Sequence, residues 1–218
     1  FIAYYPHPKS CIYKLNSSYY RTVGHWPGLF PALLHMWRNR TSPEAFLFWF
    51  RIAQWGGNPF LLAWAKWRLR HIAKIRNIDI PPSTRIGKGL YLGHFMCIVI
   101  NPTAVIGDNC NLSQFLSIGA NDGTAAHIGN NVYIGPHVSI VENVRIGNNV
   151  TIGAGAVVTH DIPENATAAG VPARVLNYDR PARYIGRRSM SFKKANLPSP
   201  LPQTPQLDTD ACLNSGIQ

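Results

Sequence analysis

The chain is poor in cysteine and in acidic residues, and it has no long apolar run. Its four cysteines, among 218 residues, form no Cys-x-x-Cys pair, which argues against a zinc site or a disulfide framework and favours a reducing cytoplasm. No uninterrupted apolar stretch reaches the roughly 18 residues that a membrane-spanning helix needs. Neither an initiator Met nor a basic-then-apolar signal pattern opens the sequence, so we expect the natural start of the protein to lie upstream.

Acidic residues are scarcest in the N-terminal part. Residues 1–78 hold eleven Lys and Arg against one acid, Glu44, and so carry +10 of the total formal charge of +11. This charge would indicate nucleic acid or an acidic membrane as a partner if it were spread over one face of the fold. Because the charge is confined to the N-terminal segment, we expect no nucleic-acid partner.

Aliphatic residues, by contrast, recur every six residues through the middle of the chain. Six matches neither the helical period of 3.6 nor the alternation of a simple strand. A hexapeptide repeat is typical of a parallel β-helix, in which each repeat forms one side of a triangular coil, and it predicts roughly four to five coils here. The positions are Ile80, Ile86, Leu92 and Ile98, then Ile100, Ile106, Leu112 and Ile118 after a two-residue shift, then Ile128, Ile134, Ile140, Ile146, Ile152 and Val158. A second inward series follows at Val132, Val138, Val144, Val150 and Ala156.

The repeat is interrupted once by a longer step. From Ile118 to Ile128 the step is ten residues instead of six, so four extra residues must leave the coil as a loop. Insertions into a solenoid usually carry its binding face. The loop is therefore either part of a binding site or a solvent-exposed insertion with no binding role.

The repeats divide the chain into three parts. Residues 1–77 are predicted to be a basic, aromatic-rich helical segment, and residues 78–177 the β-helix. Residues 178–218 form a C-terminal extension, predicted to be largely disordered from about residue 189 because prolines are frequent and aromatics few. The fold class expected is therefore mainly β, with helices at the start.

Two helices are predicted in the basic segment. A cap serine and a first-turn proline open the first, over 42–55, and Gly56 ends it. In the second, over 60–76, Lys and Arg alternate with Trp and Leu. Such a helix either lies on a membrane surface or packs on the end of the β-helix with its cations in water.

Five motifs carry a family resemblance. They are Asp79-Ile-Pro-Pro-Ser-Thr-Arg-Ile-Gly-Lys-Gly, Leu-Gly-His94, Ile-Gly-Asn-Asn-Val-Tyr-Ile-Gly, Ile-Gly-Ala-Gly-Ala-Val-Val and Ala168-Ala-Gly-Val-Pro-Ala-Arg174. Together they span roughly residues 78–177 and resemble the hexapeptide acyltransferase superfamily, specifically its serine acetyltransferase branch. The resemblance implies a left-handed coil, a homotrimer or a dimer of trimers, and acetyl-CoA as the acetyl donor.

The resemblance also makes His94 the catalytic base and Asp79 its partner. Transfer of acetyl from a thioester to an alcohol requires removal of the alcohol's proton, and a neutral imidazole can accept it. A carboxylate at the other ring nitrogen holds one tautomer and stabilises the imidazolium. Without these roles, His94 is an ordinary core or surface histidine and Asp79 a corner residue.

For the donor, the resemblance implies a groove between coils along which the pantetheine arm lies. The matching positions are Ala120, Asn121, Pro136 and Ala154, with Ala169, Gly170 and Arg174 near the nucleotide end. An arginine there can meet a phosphate. Pro136 and His137 replace the small pair usual in that turn, and no metal is expected.

The expected acceptor is a sugar hydroxyl. Serine acetyltransferases place an arginine and a histidine in the inserted loop to bind the carboxylate of serine, and Thr124 and Ala125 stand there instead. Because such specificity rests on paired polar contacts, their loss argues against free serine. The short loop and basic N-terminus resemble acetyltransferases of bacterial capsule and exopolysaccharide synthesis, such as colanic acid acetyltransferases. His127 either binds this glycan or faces outward, and residues 60–76 would touch the membrane if the glycan were lipid-linked.

Three other functions stay open. One is a serine O-acetyltransferase of cysteine biosynthesis. A γ-type carbonic anhydrase would need three histidines on zinc, for which His94, His127 and His137 are the candidates, but the close spacing of its ligands is missing. A non-catalytic β-helix scaffold would not need His94 and Asp79 together.

Overall fold

The computed structural model describes residues 18–19, 34–35 and 37–186. The tail predicted to be disordered from about residue 189, and most of the segment before residue 37, lie outside the described residues. Within residues 39–186, two helices precede fourteen short strands. The helices are α1 (Pro43–Trp55) and α2 (Pro59–Arg76), and the strands are β1 (Arg85–Ile86), β2 (Tyr91–Leu92), β3 (Val99–Ile100), β4 (Val105–Ile106), β5 (Asn111–Leu112), β6 (Ser117–Gly119), β7 (His127–Ile128), β8 (Tyr133–Ile134), β9 (Ser139–Val141), β10 (Arg145–Ile146), β11 (Thr151–Ile152), β12 (Val157–Val158), β13 (Thr167–Ala169) and β14 (Arg174–Asn177).

Both helices begin at the polar cap that precedes a proline. The Ser42 hydroxyl accepts a hydrogen bond from the main-chain N–H of Ala45 at 3.2 Å, and the Asn58 side chain accepts one from Phe60 at 2.9 Å. These caps satisfy N–H groups that have no partner inside a helix. Gly56 ends α1 with φ of 67°, a left-handed conformation that glycine adopts without a steric penalty.

The strands stack into three sheets that form the faces of a left-handed triangular β-helix of about 4 turns, as predicted. The first face consists of β1, β4, β7 and β10. The second face consists of β2, β5, β8, β11 and β13, with β14 added antiparallel at its edge. The third face consists of β3, β6, β9 and β12.

The repeated aliphatic side chains fill the interior of the β-helix. Each one stacks in register on its equivalent in the next coil, and each is at most 6% exposed. On the third face, for example, Ile100 lies in register with Ile118, and Ile140 with Val158. No single repeat could bury its aliphatic residue alone, so the coils stabilise one another.

Helix α1 closes the first coil. The buried guanidinium of Arg51 donates to the carbonyl oxygen of Ile86 at 2.8 Å and also to that of Gly87, while the Gln54 amide donates to the carbonyl of Thr84 at 3.0 Å. A terminal coil exposes main-chain groups with no further coil to pair with. The polar side chains of α1 satisfy them.

Helix α2 has one buried and one exposed side. Ala65, Leu69 and Ile72 are buried, whereas Trp64 and Trp67 are each 52% exposed. Contact of this helix with a membrane surface stays a prediction. Within residues 37–186, no helix is long and apolar enough to cross a bilayer.

The chain after β14 folds back along the second face. The N–H of Ala182 donates to the carbonyl of Asn149 at 2.7 Å, and the Asn111 amide donates to the carbonyl of Tyr184 at 2.9 Å. The rings of Tyr133 and Tyr184 lie 4.6 Å apart. The C-terminal extension is therefore ordered against the β-helix up to about residue 186.

Candidate functional site

His94 lies in an enlarged corner between the second and third faces. Asp79 is in register with Val99, twenty residues later, whereas Val99 is in register with Ser117 after eighteen, so the first coil has two extra residues. The N–H of Phe115 donates to the carbonyl of Met96. In the next coil the N–H of His137 donates to the carbonyl of Gln114 in the same way. Met96 in the first coil is therefore structurally equivalent to Gln114 in the second. The extra pair is therefore His94 and Phe95.

This register changes one detail of the predicted repeat. Ile80 stacks with Ile100, since Asp79 pairs with Val99, and the two-residue shift falls inside the corner that holds His94. Ile98, which the six-residue count placed with Ile80, instead belongs to the second inward series. It is fully buried beside Leu116, which accounts for its aliphatic character.

The two inserted side chains point in opposite directions. Phe95 is 3% exposed, and its ring lies 5.3 Å from that of Phe46 in α1. His94 is exposed and has φ of 50°, a conformation uncommon outside glycine and asparagine. Packing of Phe95 into the helices thus holds the corner while the imidazole of His94 faces outward.

Asp79 lies at the same end of the third face as His94. Its N–H donates to the carbonyl of Ile98 at 2.8 Å, and its own carbonyl accepts from Ile100 at 2.8 Å, so its backbone adds to the edge of β3. The Asp79 side chain is exposed. Neither the carboxylate nor the His94 ring makes a hydrogen bond or ion pair with any residue that the structure describes, and their pairing stays a prediction.

The predicted donor positions border the third face on both sides. Pro136, Ala154 and Gly170 follow strands of the second face at the corner that leads into the third, in successive coils. The N–H of Gly155 donates to Pro136 at 2.9 Å, and that of Val157 to Gly170 at 3.0 Å.

The other donor positions lie elsewhere around the prism. Ala120 and Asn121 follow β6 at the opposite border of the third face, and the Asn121 N–H donates to the Glu142 carboxylate at 3.1 Å. Ala169 ends β13, and Arg174 begins β14 and is exposed. These residues surround one face of the β-helix, but their role in binding a donor stays a prediction.

His127 lies on a different face. It begins β7 and is in register with Val105 and Arg145, so its exposed side chain belongs to the first face. His94 and His137 lie at the corner between the second and third faces. Among the residues that the structure describes, no group of three or more His, Cys, Asp or Glu is placed to hold a metal ion.

The inserted loop between β6 and β7 is anchored at its end. Ala125 and Ala126 are fully buried, and the N–H of Ala125 donates to the hydroxyl of Thr103 at 2.8 Å. The exposed part, residues 121–124, contains one charged side chain, Asp122. The loop therefore presents no cation near the face it borders.

Two features of this region are not apparent from the repeat pattern. The rings of Phe115 and His137 stack in adjacent coils with centroids 4.4 Å apart and planes 13° from parallel. Beside Asp79, a surface cleft is lined by two cations of α2, Arg70 and Lys74. The alternation of basic and apolar residues in α2 suggested an amphipathic helix, but the sequence alone does not show that these cations reach Asp79.

Comparison with known proteins agrees with this architecture. A family model described as "Bacterial transferase hexapeptide (six repeats)" matches residues 125–160. A serine acetyltransferase of Synechococcus elongatus is 35% identical over 116 residues, which cover 50% of this chain and 46% of that protein. The chain spans about half the length of the curated relatives it matches.

Solved structures of serine acetyltransferases have a similar fold. A soybean serine acetyltransferase complexed with serine has a TM-score of 0.60 at 28% identity, over 77% of this chain and 68% of that one. A serine acetyltransferase in complex with CoA has a TM-score of 0.61 at 27% identity, over 78% and 71% of the two chains.

The predicted sugar acceptor is wrong in the light of these relatives. They are named serine acetyltransferases, so the glycan partner and the place in capsule or polysaccharide synthesis have no support. The prediction rested on the missing charges at Thr124 and Ala125. The loop is not the only source of positive charge among the described residues, since Arg70 and Lys74 of α2 line a cleft with Asp79.

The features that connect this chain to its relatives lie in the coils. Six-residue periodicity, in-register aliphatic stacking and the triangular left-handed path are all present between Ile80 and Ala168. The described coils therefore resemble those of the hexapeptide transferase superfamily, whose family model matches residues 125–160.

Proposed function

We propose that this protein is an acetyl-CoA-dependent O-acetyltransferase whose acceptor is serine. The observation that carries the proposal is the exposed His94, held at an enlarged corner of a β-helix whose relatives are serine acetyltransferases. One similar structure is complexed with serine and another with CoA. On this basis serine and CoA are the ligands proposed for this chain.

In the proposed reaction, His94 acts as the general base. Its neutral imidazole takes the proton of the serine hydroxyl as that oxygen attacks the thioester carbonyl carbon. The new carbon–oxygen bond forms, the carbon–sulfur bond breaks, and the CoA thiolate leaves. The imidazolium then returns the proton to this sulfur, which yields O-acetylserine and CoA.

Asp79 is the proposed positioning residue for His94. Its backbone is hydrogen-bonded to Ile98 and Ile100, in the segment that follows the His94 corner, so both side chains start from the same end of the third face. A carboxylate there favours the imidazolium that develops during transfer. In this proposal the exposed side chains of His94 and Asp79 form their hydrogen bond when the substrates bind. Catalytic hydrogen bonds often form only in the complex.

The third face is the proposed path of the donor. Pro136, Ala154 and Gly170 border it with small or short side chains, and Arg174 is exposed near its far end, where it suits a phosphate. A single prism offers one wall of such a groove. We therefore also propose a homotrimer, in which a neighbouring prism forms the other wall.

The proposal is tested by a thiol-release assay with purified protein. Acetyl-CoA is offered with L-serine and, separately, with L-threonine, L-homoserine, ethanolamine or no acceptor, and the product is identified by mass spectrometry. We expect CoA release that depends on serine and yields O-acetylserine. Release at the rate of the acceptor-free control, or a preference for another acceptor, would contradict the proposed function.

A further inference from the structure

A cleft of about 300 Å³ opens between α2 and the first coil of the β-helix. It is lined by Arg70, Ala73, Lys74, Asn77, Ile78 and Asp79. Positions 70, 73, 74 and 77 have the spacing i, i+3, i+4 and i+7 of a helix. They therefore lie on one face of α2 and its cap. This side of α2 is distinct from the buried side, which contains Leu69 and Ile72.

The end of α2 and Asp79, beside the cleft, are hydrogen-bonded to the segment that follows His94. The N–H of Cys97 donates to the carbonyl of Arg76 at 2.9 Å, and the N–H of Asp79 donates to the carbonyl of Ile98 at 2.8 Å. Cys97 is three residues beyond His94. The cleft therefore opens beside the corner that presents the candidate base.

The cleft carries more positive than negative charge. Arg70 and Lys74 face one carboxylate, that of Asp79, and α2 itself contains no acid. Within the part of the chain that the structure describes, neither cation makes a hydrogen bond or an ion pair, and both are exposed. A guanidinium binds a carboxylate through two parallel hydrogen bonds, and an ammonium adds a second charge.

We propose that Arg70 and Lys74 bind the carboxylate of the acceptor amino acid. This inference rests on the proposed function, because serine is the acceptor that supplies a carboxylate. The exposed part of the inserted loop, residues 121–124, contains no cation, so it offers no positive charge to this carboxylate. The cations of α2 take that role from the cleft that they line with Asp79, and they select an acceptor with a negative charge.

The test compares Arg70→Gln, Lys74→Gln and the double variant with a matched control, Lys66→Gln. Lys66 is also exposed on α2 but does not line the cleft. Loss of one charge-assisted contact is expected to raise the KM for serine about 10- to 100-fold, with kcat and the KM for acetyl-CoA within about twofold of wild type. Arg70→Lys and Lys74→Arg, which keep the charge, should recover much of the affinity.

Serinamide, which lacks the carboxylate, gives a second readout. The wild-type protein is expected to use serinamide with a kcat/KM well below that for serine, and the double variant to lose this preference. A role of Arg70 and Lys74 in stability alone would lower the use of both acceptors equally. Thermal unfolding of each variant shows whether the fold is kept.

Three results would overturn the inference, and they are distinguishable. If the wild-type protein does not acetylate serine, both the inference and the proposed function fail. If serine is acetylated but the cleft variants keep the wild-type KM for serine, only the inference fails. If the variants raise the KM for acetyl-CoA instead, the cleft binds the phosphates of the donor and the inference is also wrong.

Discussion

The guanidinium of Arg51 donates a hydrogen bond to the main-chain carbonyl of Ile86 over 2.8 Å, and so joins α1 to the first strand of the β-helix. The same guanidinium also donates to Gly87. Arg51 is 1% exposed, which is rare for a charged side chain without such partners. The contact closes one end of the stack of coils.

We expect Arg51→Met to destabilise the protein. The replacement keeps much of the volume but leaves the carbonyl oxygens of Ile86 and Gly87 without this donor, and each buried acceptor left unsatisfied costs about 1–3 kcal/mol. The free energy of unfolding, measured in urea, should fall by about 2–4 kcal/mol. Lys66→Met, on the exposed side of α2, is the control and should change it by less than about 0.5 kcal/mol. Equal urea midpoints for the two variants would show that α1 does not cap the coil in this way.

His94→Asn should abolish most activity without unfolding the protein. Asparagine tolerates the positive φ of 50° at this position but cannot act as the general base proposed for His94. We expect kcat to fall by about 10²- to 10⁴-fold. The thermal midpoint should stay close to that of the wild type. His71→Asn, an exposed position on α2, should keep the wild-type kcat; if His94→Asn also keeps it, His94 is not the base.

Asn149 belongs to a ladder of asparagine side chains at the corner between the first and second faces. Its amide donates to Asn165 at 3.0 Å, its side-chain oxygen accepts from Asn131 at 3.0 Å, and its φ is 59°. Asn149→Gly loses the two hydrogen bonds but keeps the conformation, and should cost about 1–2 kcal/mol. Asn149→Ala also strains the backbone and should cost about 1 kcal/mol more. Equal urea midpoints for the two variants would mean that conformation contributes nothing there.

Gly107 marks a place where consecutive coils approach too closely for a side chain. A Cβ atom added there would lie 2.5 Å from the carbonyl oxygen of Gly129. We expect Gly107→Ala to lower the free energy of unfolding by about 2–3 kcal/mol, because neighbouring backbone must move. At Gly119 an added Cβ meets nothing within 4 Å, so Gly119→Ala should change stability by less than about 0.5 kcal/mol. Similar losses in both variants would contradict the close approach.

Much of the β-helix follows from local chemistry. An aliphatic residue every six positions has to be buried, and only a flat-sided coil turns the same face inward at that interval. For the same reason the start of α1 was predictable from Ser42 and Pro43, since their backbone preferences are local. The extra loop after Ile118 was also visible, as a step of ten residues in the repeat.

The register between strands of successive coils depends less on neighbouring residues than the repeat does. The six-residue count put Ile98 in one series with Ile80, but the Phe95 side chain packs against α1 and lengthens the corner, so Ile100 stacks with Ile80. The acceptor prediction was wrong because the relatives are named serine acetyltransferases. The sequence showed that α2 is basic, but only the structure shows that Arg70 and Lys74 line a cleft with Asp79.

The sequence by itself determined the six-residue period, the helix starts and the separation of a basic segment from the coils, because each depends on neighbouring residues and on burial. The tertiary structure alone decided that Phe95 and His94 form the inserted corner, that Arg51 satisfies the first strand, and that Arg70 and Lys74 share a cleft with Asp79. These contacts join elements far apart in the chain, and their geometry depends on how the helices pack against the first coil, which no local pattern encodes.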